Sequence, residues 1–180
     1  MKFRMRLLAL LTVMLLFTNV HDSYAWLTRA SNPVENSFTI GDIQLTLTET
    51  TGSTYRMIPG VTIRKDPTVT VKANSKACWL FVQVETTKDF DRYFTYFISG
   101  EWTALSGYDG VWYRQVDATT QDVSFGVLEM DQVTVKETVT EEQLAALPTH
   151  PGMRFLAYAV QQLGLSTAED AWEQIVLSQE

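Results

Sequence analysis

The chain has 180 residues, of which 46% are hydrophobic and 19% charged, and its formal net charge is -7. This length fits one domain with at most a small appendage, and the hydrophobic fraction excludes wholesale disorder. The acidic balance argues against a nucleic-acid-binding protein, because neutralising phosphates needs a basic face. One Cys and two His exclude an internal disulfide framework and leave too few ligands for a zinc site.

Residues 1–25 have the pattern of a secretory signal peptide. A basic N-terminal stretch precedes an apolar run from Leu7 to Phe17, and Ser23 and Ala25 place small side chains where signal peptidase reads them. The alternative is an uncleaved membrane anchor, which needs about 20 apolar residues. We therefore predict cleavage after Ala25 and a secreted chain that begins at Trp26. Such a chain meets the membrane only through the uncleaved signal.

The rest of the chain alternates between strand patterns and turns. Thr, Val and aromatic residues favour strands, and turn signals recur at short intervals, which favours a sandwich or barrel over βαβ units. The predicted strands are 38–48, 61–64, 69–72, 78–85, 92–99, 102–105, 111–116, 122–127, 132–135 and 152–161. The run 78–85 is the most apolar and is expected at the centre of a sheet. Pro67 is expected to start a strand or lie on an edge.

Two capping boxes predict short helices. The first, Thr140 to Gln143, precedes Leu144, and the second, Ser166 to Glu169, precedes a C-terminal run with apolar residues at helical spacing. The predicted fold is therefore all-β with short helices, including a C-terminal helix.

No motif in the sequence predicts catalysis. A zincin motif, a P-loop, a dinucleotide fingerprint and a nucleophile elbow are all missing from the sequence. The mature chain keeps one histidine, His150, in a proline-bounded loop where a solvated side chain is the simpler interpretation. Glu85, Asp89 and Asp91 could bind Ca²⁺, although a solvated acidic turn is favoured. We predict no catalytic residue, no resident metal and no cofactor.

The remaining candidates have simpler structural interpretations. Trp79, Trp102, Trp112 and Tyr113 could form a carbohydrate platform, but their positions on strands favour packing in the core. Cys78 lies inside a strand pattern and is interpreted as a buried apolar thiol rather than a reactive one.

Six segments from the end of the signal through Val84 form a linked set. They are Ala25–Thr28, Asn36–Gly41, Ile43–Leu47, Met57–Gly60, Lys65–Val71 and Cys78–Val84. Together they resemble the TasA/camelysin family of Gram-positive exported proteins, which are processed by the signal peptidase SipW. The Pro-Gly pair followed by Lys-Asp-Pro-Thr-Val is the most specific part of this resemblance.

The resemblance implies a jelly-roll-like antiparallel β-sandwich over residues 38–180, secretion into the biofilm matrix and assembly into fibres. In such fibres the N-terminal extension, residues 26–37, donates a strand to the next subunit. The candidate donor residues are Trp26, Leu27, Thr28 and Val34. The chain departs from the family at Arg29, where an acidic residue is common, and in its capped C-terminal helix.

The general properties of sheet edges are consistent with assembly into fibres. An unpaired sheet edge can template another chain, and a head-to-tail contact that does not close propagates into a filament. The alternative is that residues 26–37 are disordered or docked on their own chain. The expected partners are further copies of the chain, the signal peptidase during export and accessory matrix proteins. Rival functions are a camelysin-type exported metallopeptidase, which the scarcity of His disfavours, and a monomeric cell-surface adhesion module.

Overall fold

A computed structural model describes residues 26–27, 37–52, 55–147 and 151–178. Within these ranges the strands are β1 Trp26–Leu27, β2 Ser37–Ile40, β3 Leu45–Thr48, β4 Tyr55–Arg56, β5 Thr62–Arg64, β6 Thr68–Val71, β7 Cys78–Thr86, β8 Phe94–Ile98, β9 Thr103–Ala104, β10 Val111–Val116, β11 Val123–Gly126, β12 Leu128–Val135 and β13 Met153–Gln161. The helices are α1 Phe90–Tyr93, α2 Glu141–Ala145 and α3 Ala168–Leu177. The predicted all-β class with short helices is confirmed.

A five-stranded sheet forms the centre of the molecule. Its strand order is β2-β13-β7-β10-β9, and β7 and β13 pair antiparallel from Cys78↔Gln161 to Thr86↔Met153. The predicted central position of the apolar run 78–85 is therefore confirmed. β2 pairs parallel to β13 at one edge, and β9, which pairs antiparallel with β10, forms the other edge.

Two three-stranded sheets, β11-β6-β3 and β5-β12-β8, lie on the other side of the core. Backbone hydrogen bonds around Val127 join them, because Val127 N–H donates to the Pro67 carbonyl at 2.9 Å and Ser99 N–H donates to the Val127 carbonyl at 2.9 Å. Pro67 itself directly precedes β6, as expected for a residue that cannot donate to a ladder. β6 and β12 are the central strands of the two sheets, and β11, β3, β5 and β8 lie at their edges.

The alternation of side chains on β7 divides the core into two parts. Leu80 and Val82 belong to the larger cluster, which they share with residues of the two smaller sheets. Phe81 faces the opposite side, where α3 lies over the sheet and Trp172 packs against it with ring centroids 5.2 Å apart. Burying both faces of a strand explains why this run is continuously apolar.

The predicted single strand over 38–48 is wrong, because the chain changes sheets within it. β2 belongs to the five-stranded sheet, β3 belongs to the β11-β6-β3 sheet, and Gly41 between them has φ +99°. A Cβ at this position would lie 2.7 Å from Gln161 Oε1. The pattern misled because Ile43, although outside a strand, is buried in phase with β3.

The second capping box is displaced by one residue from its predicted position. Thr167, not Ser166, is the N-cap of α3, and its hydroxyl accepts a hydrogen bond from Asp170 N–H at 3.1 Å. The first box is confirmed, with Thr140 and Gln143 bonded reciprocally.

The predicted strand 92–99 begins later than expected, because α1 takes its first two residues. Asp89, which precedes α1, has φ +64°, so the chain turns before the strand can start.

No helix of the described ranges is long and apolar enough to cross a membrane.

Candidate assembly site

The structure pairs the start of the predicted donor segment with its own chain. Trp26 and Leu27 form β1, which runs antiparallel to β4 in the register Trp26↔Arg56 and Leu27↔Tyr55. Ser37, at the other end of the segment, begins β2. The remaining predicted site residues lie outside the described residues; these are Ser23, Ala25, Thr28 and Val34.

A cluster of polar side chains holds β4 in place, and we call it the β4 anchor: Glu49, Thr51, Tyr55, Lys65 and Asp66. The Tyr55 hydroxyl lies 2.8 Å from Glu49 Oε1 and 3.0 Å from the Thr51 hydroxyl. Burial raises the pKa of Tyr55 above its ordinary value, and the neighbouring Glu49 raises it further, against a lowering hydrogen bond from Thr51. The phenol therefore stays neutral, and its hydroxyl donates a hydrogen bond to the Glu49 carboxylate.

A buried ion pair lies at the centre of the β4 anchor. Lys65 is 5% exposed, and its Nζ donates to Glu49 Oε1 at 2.6 Å and to Oε2 at 2.7 Å. The same Nζ lies 5.6 Å from the centre of the Tyr55 ring and 5.5 Å from that of Phe155. The ammonium group is thus enclosed by a carboxylate and two aromatic rings, which compensate for its lost hydration.

Asp66 fixes the loop between β3 and β4. Its carboxylate accepts hydrogen bonds from Thr50 N–H at 2.8 Å and from Thr51 N–H and hydroxyl at 3.1 Å each. The Thr50 hydroxyl also donates to it. Burial acts to raise the pKa of Asp66, but these hydrogen bonds outweigh it and lower the pKa to about 2. The loop that leads into β4 is therefore tied to the connection between β5 and β6.

The β4 anchor could not be recognised as a cluster from the sequence. Lys65 and Asp66 stood out only as part of the family-like segment, because Glu49 is 16 positions away from Lys65 and no spacing rule links the two. An available signal was the position of Lys65 on the same side of the alternating pattern as the apolar residues Ile63 and Val69. Such a lysine, when buried, needs an anionic partner.

β8 is an edge strand of the three-stranded sheet β5-β12-β8. A groove of about 530 Å³ follows it, lined by aromatic and aliphatic side chains together with one acidic and one basic residue. Its lining includes Phe94, Tyr96, Ile98, Trp112, Asp91 and Lys136. Phe97, on the same strand, is 68% exposed.

The neighbouring strand β12 bulges opposite Phe97. The register between β8 and β12 moves from Ile98↔Leu128 directly to Tyr96↔Val133. Met130 and Asp131, within this bulge, both have positive φ, and Met130 is 73% exposed. The irregular backbone keeps this part of the sheet surface from being flat.

The candidate calcium ligands Glu85, Asp89 and Asp91, for which a solvated acidic turn is the favoured interpretation, do not come together as a group. Glu85 pairs with Arg154, with Nη2 2.5 Å from Oε2, and Asp91 lies in the groove beside β8. Nowhere in the part of the chain that the structure describes do three or more His, Cys, Asp or Glu residues come together as metal ligands. His150 lies outside the described residues.

The aromatic candidates are divided between the core and the surface. Trp79 and Trp102 are buried, and the Trp102 indole N–H donates to the Gly126 carbonyl at 2.8 Å. Tyr113 packs edge-on against Trp79, whereas Trp112 lines the β8 groove. The predicted packing role is confirmed for Trp79 and Trp102.

Cys78 is fully buried, as predicted, and burial raises the pKa of its thiol to about 11.

Comparisons with known proteins give no match for this chain, whether with family models, curated proteins or solved structures. What the molecule itself offers is an all-β fold with an N-terminal strand, an anchored partner strand and a second open edge.

Proposed function

We propose that this chain is a secreted, non-enzymatic structural protein of the extracellular biofilm matrix that assembles into fibres by head-to-tail strand donation. The observation that supports this most directly is the pairing of β1 with β4. An N-terminal segment that pairs as a strand within the chain has the backbone groups to pair with another copy. Because donor and acceptor are different surfaces, the contact is heterologous and can propagate into a filament.

The layered sheets support the finer parts of this proposal. Two β layers enclose one large core, as expected for the jelly-roll-like sandwich that the TasA/camelysin resemblance implies. Cleavage after Ala25 would place the new amino terminus at Trp26, the first residue of β1. Export processing would thereby release the donor segment from the membrane at the place where the fibre forms.

Truncation tests strand donation. A chain lacking residues 26–36 keeps β2 in the five-stranded sheet and is expected to remain a folded β protein that no longer elongates, as seen by circular dichroism and electron microscopy. A synthetic peptide of residues 26–36 should raise its melting temperature, since a ligand that binds only the native state stabilises it. Polymerisation of the truncated chain to the wild-type extent, or its unfolding, would contradict the proposal.

A point substitution gives a matched test in the intact chain. Trp26→Asp should slow elongation, because a charge placed at an apolar anchor loses hydration when the strand docks. The control is Leu163→Asp, since Leu163 is 85% exposed and lies in the loop after β13.

The pure protein should also show no chelator-sensitive proteolysis; such cleavage would favour the camelysin-type peptidase.

The groove beside β8 favours a second candidate, a monomeric cell-surface adhesion module. Its aromatic lining and the exposed Phe97 are features of a binding surface. In that case Phe97→Ala would abolish attachment of the protein to cells and fibres would not form. Under strand donation the same variant would still elongate.

A further inference from the structure

We infer that β4 is the acceptor of the donated strand, so that Trp26–Leu27 of one copy pair with Tyr55–Arg56 of the next in the register seen within the chain. This inference rests on the proposed strand donation and names its receiving surface. The occupant is residues 26–27 of a second copy.

The isolation of the β1–β4 pair supports this assignment. The two strands form a sheet of their own, separate from the other three sheets of the described residues. When β1 leaves, β4 therefore loses the one strand with which it is paired, and its N–H and C=O groups become an unpaired edge. The segment with matching register is the N-terminal segment of another copy.

The acceptor strand is held in place independently of β1. Tyr55 is fixed through Glu49 and Thr51, and Glu49 in turn through Lys65. Met57, directly after β4, is buried with 3% exposure. None of these contacts involves residues 26–27, so β4 is preorganised and binding a strand costs little further ordering.

The intramolecular and intermolecular pairings consist of the same residue pairs, as in domain swapping. They differ in that the intramolecular strand is tethered to its acceptor through the chain, and a tethered strand binds at a higher effective concentration than a strand from another copy in dilute solution. The monomer is therefore favoured in dilute solution, and strand exchange is favoured where the secreted chain accumulates. The pairing within the chain acts as a competitor that delays assembly.

Cysteine cross-linking between two different variants tests the acceptor. Full-length Trp26→Cys and Arg56→Cys chains are expressed separately in a secreting host, mixed, concentrated and oxidised. Opposed residues of antiparallel strands have Cα atoms about 4.5–5.5 Å apart, within disulfide range. Disulfide-linked dimers are expected in the mixture at least tenfold above either variant alone. Cys78 is fully buried and should not contribute.

The matched control replaces Arg56→Cys by Phe97→Cys, which places the thiol on the rival edge β8. Fibres that cross-link through position 97 and not through position 56 would overturn the β4 assignment and leave strand donation intact. Wild-type chains that form no fibres would instead overturn the proposed function itself. A second pair, Leu27→Cys with Tyr55→Cys, serves if Trp26→Cys blocks assembly; fibres that cross-link through neither β4 pair contradict the inference.

Combining both substitutions in one chain adds a reversible test. The Trp26→Cys/Arg56→Cys chain, oxidised at high dilution, should be locked as a monomer that does not elongate. Adding reductant should restore elongation to the rate of the same chain that was never oxidised. If the oxidised chain elongates as fast as the chain treated with reductant, β1 need not leave β4, and the inference is overturned.

Discussion

At the scale of single residues, the most informative feature is a lysine buried in an all-β protein. Lys65 is surrounded by the Glu49 carboxylate and two aromatic rings, which replace its hydration. Removing one partner of such a pair leaves an uncompensated buried charge, whereas removing both does not. The ion pair therefore serves mainly to hold Glu49, and through Glu49 the side chain of Tyr55 in β4, in place; its net contribution to stability is small.

Lys65→Met should lower the free energy of unfolding by about 3 kcal/mol, because it leaves the largely buried Glu49 carboxylate without its cationic partner. The double variant Lys65→Met/Glu49→Leu should recover most of this loss. Urea denaturation measures both. The control is Lys72→Met, whose partner Asp122 is 51% exposed, and it should cost less than about 1 kcal/mol. Equal losses for the two lysines would contradict a special role for the buried pair.

Asp66 should make stability depend on pH at the acid end. Its pKa is about 2 in the folded chain against an ordinary value of 3.8, so the unfolded chain binds more protons between these values. Stability is therefore fully present above about pH 4 and falls as the pH is lowered toward 2, by at most about 2 kcal/mol. Asp66→Asn should flatten this part of the curve of unfolding free energy against pH. An unchanged slope in the variant would assign the acid sensitivity to other carboxylates.

At the scale of elements, local signals predict helix ends well but do not always choose between neighbouring residues. Ser166 and Thr167 can each cap a helix by composition. The structure selects Thr167, which leaves Ala168, Ala171, Trp172 and Ile175 facing the five-stranded sheet. Burial of this apolar face decides which hydroxyl serves as the cap.

Thr167→Ala should therefore destabilise the protein by about 1 kcal/mol, the usual cost of losing an N-cap side chain. Ser166→Ala, one residue earlier, should change the free energy of unfolding by less than about 0.5 kcal/mol. Chemical denaturation followed by tryptophan fluorescence compares the two, since Trp172 lies on the affected helix. A larger loss for Ser166→Ala would return the cap to its sequence-predicted position.

At the scale of the whole molecule, the arrangement of layers explains how a chain with a single cysteine can fold without an internal disulfide. One apolar cluster lies between the β layers and a second lies beneath α3, so hydrophobic burial on both faces of the five-stranded sheet supplies the stability.

Export should remove residues 1–25, so N-terminal sequencing of the secreted protein should begin at Trp26. Small side chains at Ser23 and Ala25 are what the peptidase accepts, and Ala25→Leu should leave the longer chain uncleaved. The matched control Val20→Leu, away from the positions that are read, should be processed normally. A secreted chain that starts more than a few residues from Trp26 would contradict the predicted cleavage site.

The features that could be predicted from the sequence are those set by residues close together along the chain. The continuous apolar run of β7, the capping box at Thr140 and the burial of Cys78 were all predicted, since each follows from residues within one turn or one strand. The position of the helix cap at Thr167 was missed by one residue because packing, not composition, selects it.

The sequence by itself therefore determined the all-β class, the most buried strand and the positions of the two capped helices, α2 and α3. Tertiary structure alone decided that the chain changes sheets at Gly41, that Lys65 meets Glu49, and that β1 lies against β4. These are contacts between segments that are distant along the chain. Periodicity reports which side of a strand is buried, but it carries no information on which strand lies next to it.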